Sequence, residues 1–417
     1  MKLQMPGQQE QLLSQEFFMR MIHGEPPLPI EKGADGNMYD VVIAGAGVNG
    51  LSAAYHLASR GAEVLILDER EAGKGASDAA AGMLGAQTEK HQTKELFHFA
   101  VEGRNYFESF STQLEEASQQ SVHYRKEGAW KLAFTSEEKG DLEELMTFHR
   151  KEGEEVIAAD RSDLVHAVPE AGAFHLEGAA FFPHEAQVDA RRYVSALKKA
   201  ALNNGAVLLE YTSVKDIKRR GENWTVVTED RELSAGKVIL SHGTGRSLGY
   251  AMPDMIPVKG ECVAVKPKVQ PFISTIVAPQ IYMVPKKDGR IIIGATETEG
   301  DYTKTVRAGA VSWLIEEACR IIPSLREAPV QEIWAGVRPK SPDGIPFAGE
   351  LEKNLYVISG HYRNGILMSG LTGKEISRSI FGENNELYFM CPKRRNTNAH
   401  SYERERLRTG SKCKDDT

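Results

Sequence analysis

Apolar residues recur along this chain in patterns that predict alternating strands and helices, then a long antiparallel stretch. Val41, Val42 and Ile43 form a β-branched run of the kind found in a strand covered on both faces. The spacing then lengthens: Leu51, Ala54, Tyr55, Leu57 and Ala58 recur at helical intervals, and Arg60-Gly61 closes the helix. Val64, Leu65, Ile66 and Leu67 make a second buried strand. Helical spacing returns over 93–114 and, with a charged face, over 137–152. Short strands are expected at 122–124 and 130–134. Asp189 is a candidate N-cap for a helix carried by Tyr193, Val194, Leu197, Ala200 and Ala201. Asn204-Gly205 ends it, and strand character resumes at 207–211 and Val214. A hairpin over 224–233 leads to an apolar strand at 237–240 that ends in a small-residue turn.

From 257 to 294 the pattern is antiparallel, with strands at 262–266, 275–277, 281–284 and 291–293 and a turn at 287–290. A helix over 311–321 and a strand over 333–337 follow. The strand 355–359 runs into a glycine-bounded turn at 360–366 and a helix over 369–381. Past Phe381 the periodicity is lost, and 382–417, polar and rich in Lys, Arg, Glu and Asn, reads as a disordered tail. At the other end, 8–22 has a short amphipathic pattern that three prolines over 24–29 break. Residues 1–37 therefore read as an N-terminal extension or a misassigned start, with Met38 standing immediately before the first strand.

Composition narrows the classes without choosing one. A chain of 417 residues predicts two domains, each able to bury a core. A net charge of −7, with basic residues scattered until the tail, argues against nucleic acid as a partner. No apolar run reaches the ~18 residues a membrane span needs, so no membrane partner is expected. The four cysteines show no metal-ligand spacing, so no metal is expected, and a reducing cytoplasm fits them best.

The chemistry is concentrated where the first strand meets the first helix, at Gly45-Ala46-Gly47-Val48-Asn49-Gly50. The first glycine suits a tight turn, the second lets backbone amides approach a pyrophosphate, and the third allows the helix to pack closely on the strand. A helix N-terminus then faces the anion. Asp68, at the end of the second strand, can accept hydrogen bonds from an adenosine ribose. Small residues over 79–84 let backbone pack against a planar ligand or a neighbouring helix. The turn at 360–366 forms another cradle for an anion or a carbonyl.

Taken together, the opening unit, residues 79–84, Gly336-Val337-Arg338-Pro339 with Asp343-Gly344-Ile345-Pro346, and Gly360-His361-Tyr362-Arg363-Asn364-Gly365-Ile366 resemble the FAD-dependent D-amino acid oxidase family. Within it the motifs are most similar to bacterial glycine oxidases linked to thiamine biosynthesis. The resemblance spans 38–381. It implies an α/β fold with a Rossmann-like FAD-binding domain, discontinuous over 38–120, 185–250 and 338–381, and a substrate domain of 121–184 and 251–337 built on a large antiparallel sheet. It implies FAD as cofactor, a small amine or amino acid and O2 as substrates, and a homotetramer. Gly45, Gly47, Gly50 and Asp68 would hold the ADP half of FAD, and Val214 would meet the adenine through its backbone. Ala80, Gly82 and Met83 would lie near the isoalloxazine, and the amides of Gly360, His361, Arg363, Asn364, Gly365 and Ile366 would face flavin N1 and O2. Arg338 would clamp the substrate carboxylate, Tyr282 would donate to it, and Arg363 would be a secondary contact.

The implied reaction is oxidative deamination of glycine and similar amines to an oxo acid, ammonia and hydrogen peroxide. A sarcosine or D-amino acid oxidase, a quinone-linked dehydrogenase of the same fold, and an inactive flavin-binding protein are the alternatives. The resemblance breaks at several positions. Gln280 stands where a histidine can occur, and Glu297 where an apolar methionine can. The 241–245 turn lacks a tryptophan, and Gly75-Ala76-Ser77-Asp78 replaces an Arg-Thr-Thr-Ser loop.

Overall fold

The computed structural model describes residues 38–171, 174–245 and 254–394. The expected N-terminal extension and residues 395–417 of the expected tail lie outside the described residues. Two sheets organise the rest. The first has eight strands. Tyr39–Ala44 lies at its centre, parallel to Val64–Leu67 on one side and to Glu232–Leu240 on the other. Val207–Leu209 extends the sheet beyond Val64–Leu67, and Leu355–Ser359 extends it beyond Glu232–Leu240, both in parallel register.

The period-two direction of side chains explains the two cores on this sheet. Val41 and Ile43 face a layer of helices made by Val48–Ala58, Lys94–Ser118, Ala190–Asn203 and Gly365–Ile380. Val42 and Ala44 face the opposite way, against Trp224 and Val226 of the hairpin Asp216–Arg220/Asn223–Val227. A strand covered on both faces must be apolar throughout, as the run Val41-Val42-Ile43 is.

The second sheet has nine strands. It is antiparallel apart from one parallel pair, Thr275–Val277 with Ala129–Ala133. Its longest pairing joins Ile256–Val265 to Val330–Lys340, with Val258 opposite Arg338 and Gly260 opposite Gly336. The helix Ala308–Ile321 covers one face, packing Leu314 and Ala318 against Val263, Ile291 and Ile293. A two-stranded ribbon, Met83–Leu84 with Ala186–Gln187, is separate from both sheets.

Two local expectations change. Residues 122–124 are not a strand: Val122 is buried, but His123 has φ +54°, which interrupts extended backbone. Residues 382–394 pack onto the fold rather than leaving it. Leu387 and Met390 are buried in the helix-layer core, and the Arg394 guanidinium donates to both Asp343 carboxylate oxygens at 2.9 and 3.0 Å. Helical or strand periodicity cannot reveal such a segment, because tertiary contacts hold it in irregular backbone.

Candidate active site

One elongated cavity of about 1160 Å³ runs from the glycine turn of the first sheet to the long strands of the second. At one end the turn is shaped by exclusion. Gly45 has φ +113°, and a Cβ there would lie 2.3 Å from the Ser241 carbonyl oxygen. A Cβ on Gly50 would lie 2.0 Å from the Gly45 carbonyl oxygen. Those two glycines are required by the protein's own backbone. Gly47 differs: its nearest neighbour would be Ser77 Oγ at 3.7 Å, and it borders the cavity.

The helix that starts here, Val48–Ala58, has no N-cap side-chain bond from Gly47. Its Val48 amide donates instead to Ser77 Oγ at 3.0 Å. The first turn of a helix carries unpaired N–H groups and the positive end of the dipole, so this end can receive an anion. Asp68 accepts hydrogen bonds from the Ala46 amide at 2.7 Å and the Arg70 amide at 2.9 Å. Burial raises its pKa against the lowering effect of those amides. Val214 lines the cavity beside it.

The middle of the cavity is walled by backbone. Ala80, Gly82 and Met83 lie there, after the 3-10 turn Ala76–Ala79. Gly82 has φ +81°, a conformation L side chains rarely adopt, and its carbonyl accepts from the Val188 amide at 2.8 Å. Ala79 joins this wall to the second sheet: its carbonyl accepts from Trp334 Nε1 at 3.1 Å, and its methyl fills the space a side chain on Gly336 would need. Opposite stand Gly360, His361, Arg363, Asn364, Gly365 and Ile366, at the start of the helix Gly365–Ile380, which likewise has no side-chain N-cap bond from Asn364. His361 is buried, with Nδ1 3.4 Å from Asn49 Nδ2 and Nε2 3.4 Å from Thr372 Oγ1. Burial lowers its pKa to about 4, so its imidazole is neutral.

At the far end Arg338, Tyr282 and Cys262 meet. Arg338 Nη1 is buried with no hydrogen-bond partner among the described residues. The guanidinium lies over Gly260, where a Cβ would come within 2.3 Å of it. Gly294 gives the Tyr282 ring similar room, and Cys262 Sγ lies 3.6 Å from the Tyr282 hydroxyl. Burial pushes the Tyr282 phenol well above its usual value, so it stays a hydrogen-bond donor. Burial likewise raises the Cys262 thiol. A guanidinium with a partnerless Nη1 beside a protonated phenol is suited to a carboxylate.

Arg363 is placed otherwise. It borders the cavity, but its guanidinium is ion-paired with Glu297 and lies 3.6 Å from Glu89. Glu297 also accepts from the Tyr362 hydroxyl. Burial would raise the Glu297 carboxyl; Tyr362 and Arg363 outweigh it and bring it below the usual range.

The expected site residues therefore border one cavity, except Gly50, which lies one layer behind it. Ser77, Cys262 and Glu89 border it too and carry no local sequence signal, because each acts on a residue distant in the chain. Among the described residues, no group of three or more His, Cys, Asp or Glu is arranged to hold a metal, and no helix is long and apolar enough to cross a membrane.

The sequence profile of the FAD dependent oxidoreductases, the DAO family, matches residues 40–379. The chain belongs to that family. A glycine oxidase of Geobacillus kaustophilus is 37% identical over 343 residues, which are 80% of this chain and 91% of the relative. The solved structure of glycine oxidase from Geobacillus kaustophilus superposes with a TM-score of 0.83 at 35% identity, covering 86% of this chain and all of that one. The bifunctional protein ThiO/ThiG of Synechocystis is 29% identical over 82% of this chain and 52% of its own length.

FAD is the cofactor of this FAD-dependent oxidoreductase, and the cavity fits it. The open position at Gly47, two helix starts without an N-cap side-chain bond and a cavity of about 1160 Å³ suit a diphosphate-bridged, planar group.

Proposed function

We propose that this FAD-dependent oxidoreductase oxidises glycine and similar small amines. Glycine, O2 and water would give glyoxylate, ammonia and hydrogen peroxide. The observation that carries the reading is the partnerless Arg338 Nη1 beside the Tyr282 phenol, in the cavity that the glycine turn also borders. Likeness to glycine oxidases supports the substrate class, and likeness to ThiO/ThiG supports a place in thiamine thiazole biosynthesis.

Bound FAD supplies a two-electron acceptor that can return its electrons to O2. The chain's residues bind and orient. Gly45, Gly47 and Asp68, with Val214, would hold the ADP half, and Gly50 would shape the turn behind them; Ala80, Gly82, Met83 and the 360–366 turn would enclose the flavin. Arg338 takes the substrate carboxylate in two parallel hydrogen bonds and Tyr282 donates a third, which fixes the α-carbon and amine for reaction. Arg363 completes the cavity wall through Glu297. The flavin domain comprises 38–120, 185–250 and 338–381, and the substrate domain 121–184 and 251–337. The enzyme works in the cytoplasm as a homotetramer, and light scattering checks the oligomeric state.

The test is an anaerobic visible spectrum of the flavin-loaded protein before and after excess glycine. Bleaching of the flavin band supports the reading. A flavin that sarcosine or D-alanine bleaches and glycine does not would transfer the activity to those amines, and one that no small amine bleaches would overturn the oxidase reading.

A further inference from the structure

Resting on that reading, we propose that Glu297 is a specificity-determining residue: by occupying Arg363 it restricts the cavity to substrates with one carboxylate. Of the arginines that border the cavity, Arg338 and Arg363 differ in pairing. Arg338 keeps a buried Nη1 without a protein partner among the described residues. Arg363 is held by Glu297 and approached by Glu89 at 3.6 Å. Both Glu297 and Tyr362 lie within electrostatic reach of Arg338, so these groups share one field. A substrate with a second carboxylate meets an arginine whose charge is spent and a carboxylate of its own sign.

Glu297 is held in place from the other side. Its neighbour Thr296 donates to Glu261 Oε2 at 2.9 Å and accepts from the Glu261 amide at 2.9 Å. Glu261 is fully buried and is ion-paired to Arg307 at 2.6 Å. The carboxylate at 297 therefore stands on a braced loop, and Tyr362 and Arg363 hold it from the 360–366 turn. Like-charge exclusion combined with quenching of a competing cation is a discrimination device.

The test compares the flavin-loaded parent with Glu297→Gln, an isosteric change that removes the charge. Iminodiacetate is glycine carrying a second carboxymethyl group; with one O2 and one water it would yield glycine, glyoxylate and hydrogen peroxide. The ratio of kcat/KM for iminodiacetate to that for glycine should rise about two- to five-fold in Glu297→Gln, through KM. Glu297→Gln with Arg363→Gln should keep only the part of that gain that comes from removing the repulsive carboxylate. In parallel, calorimetric titration with acetate and malonate reads the same selectivity without turnover: malonate should gain most on acetate in the single variant. An unchanged preference in a folded, flavin-bound Glu297→Gln, by either readout, overturns the proposal. If the parent turns over neither amine, the oxidase reading falls, and the acetate and malonate titrations still decide the role of Glu297.

Discussion

Taking a guanidinium nitrogen out of water without a partner costs free energy, and Arg338 Nη1 is buried with no protein partner among the described residues. The cost is recovered if a carboxylate docks there, which makes the identity of the cation decisive. Arg338→Lys keeps the charge and loses the planar fork, so KM for glycine should rise roughly 10- to 100-fold with the flavin spectrum unchanged. Loss of flavin instead would show that Arg338 supports the fold. The motif Gly-Val-Arg-Pro made Arg338 legible in the sequence. The pairing of Arg363 was not legible, because Glu89 and Glu297 reach it from remote parts of the chain.

The glycine turn separates two demands that the GxGxxG spacing merges. Gly50 is small because a Cβ would sit 2.0 Å from backbone, and Gly47 is small although nothing in the protein crowds it closer than 3.7 Å. Gly50→Ala should therefore destabilise the apoprotein. Gly47→Ala should leave apoprotein melting within a degree or two while weakening FAD binding about ten-fold or more. Thermal unfolding of apoprotein and fluorescence titration with FAD measure the two effects, and equal losses of stability in both variants would refute the distinction. A second element shows the limit of local reading. Met390 is fully buried although it follows a polar, aperiodic stretch. Met390→Ala should cost about 2–5 kcal/mol in chemical denaturation, where an unstructured tail would show none.

Across the whole molecule, buried histidines tie stability to pH. Burial holds His56 and His361 neutral, each with a pKa lowered to about 4 from an ordinary 6.5. Between those values the unfolded chain binds protons that the folded chain does not, so stability is full above pH 6.5 and is lost as pH falls toward 4. Urea midpoints should fall from pH 7 to pH 5, and His56→Gln should flatten that fall; an identical slope in the variant would exclude His56 as a cause. By itself the sequence determined what neighbouring residues settle. It placed the strand-turn-helix unit, the helix that follows 360–366 and the antiparallel stretch, because periodicity and glycine placement act over a few residues. Tertiary structure alone decided that 122–124 is not a strand, that 382–394 packs on the helix layer, and that Ser77 replaces a helix cap 29 residues away. It also decided that Arg338 Nη1 has no hydrogen-bond partner among the described residues. Charge pairing and burial depend on atoms brought together from distant parts of the chain, and no local pattern encodes that meeting.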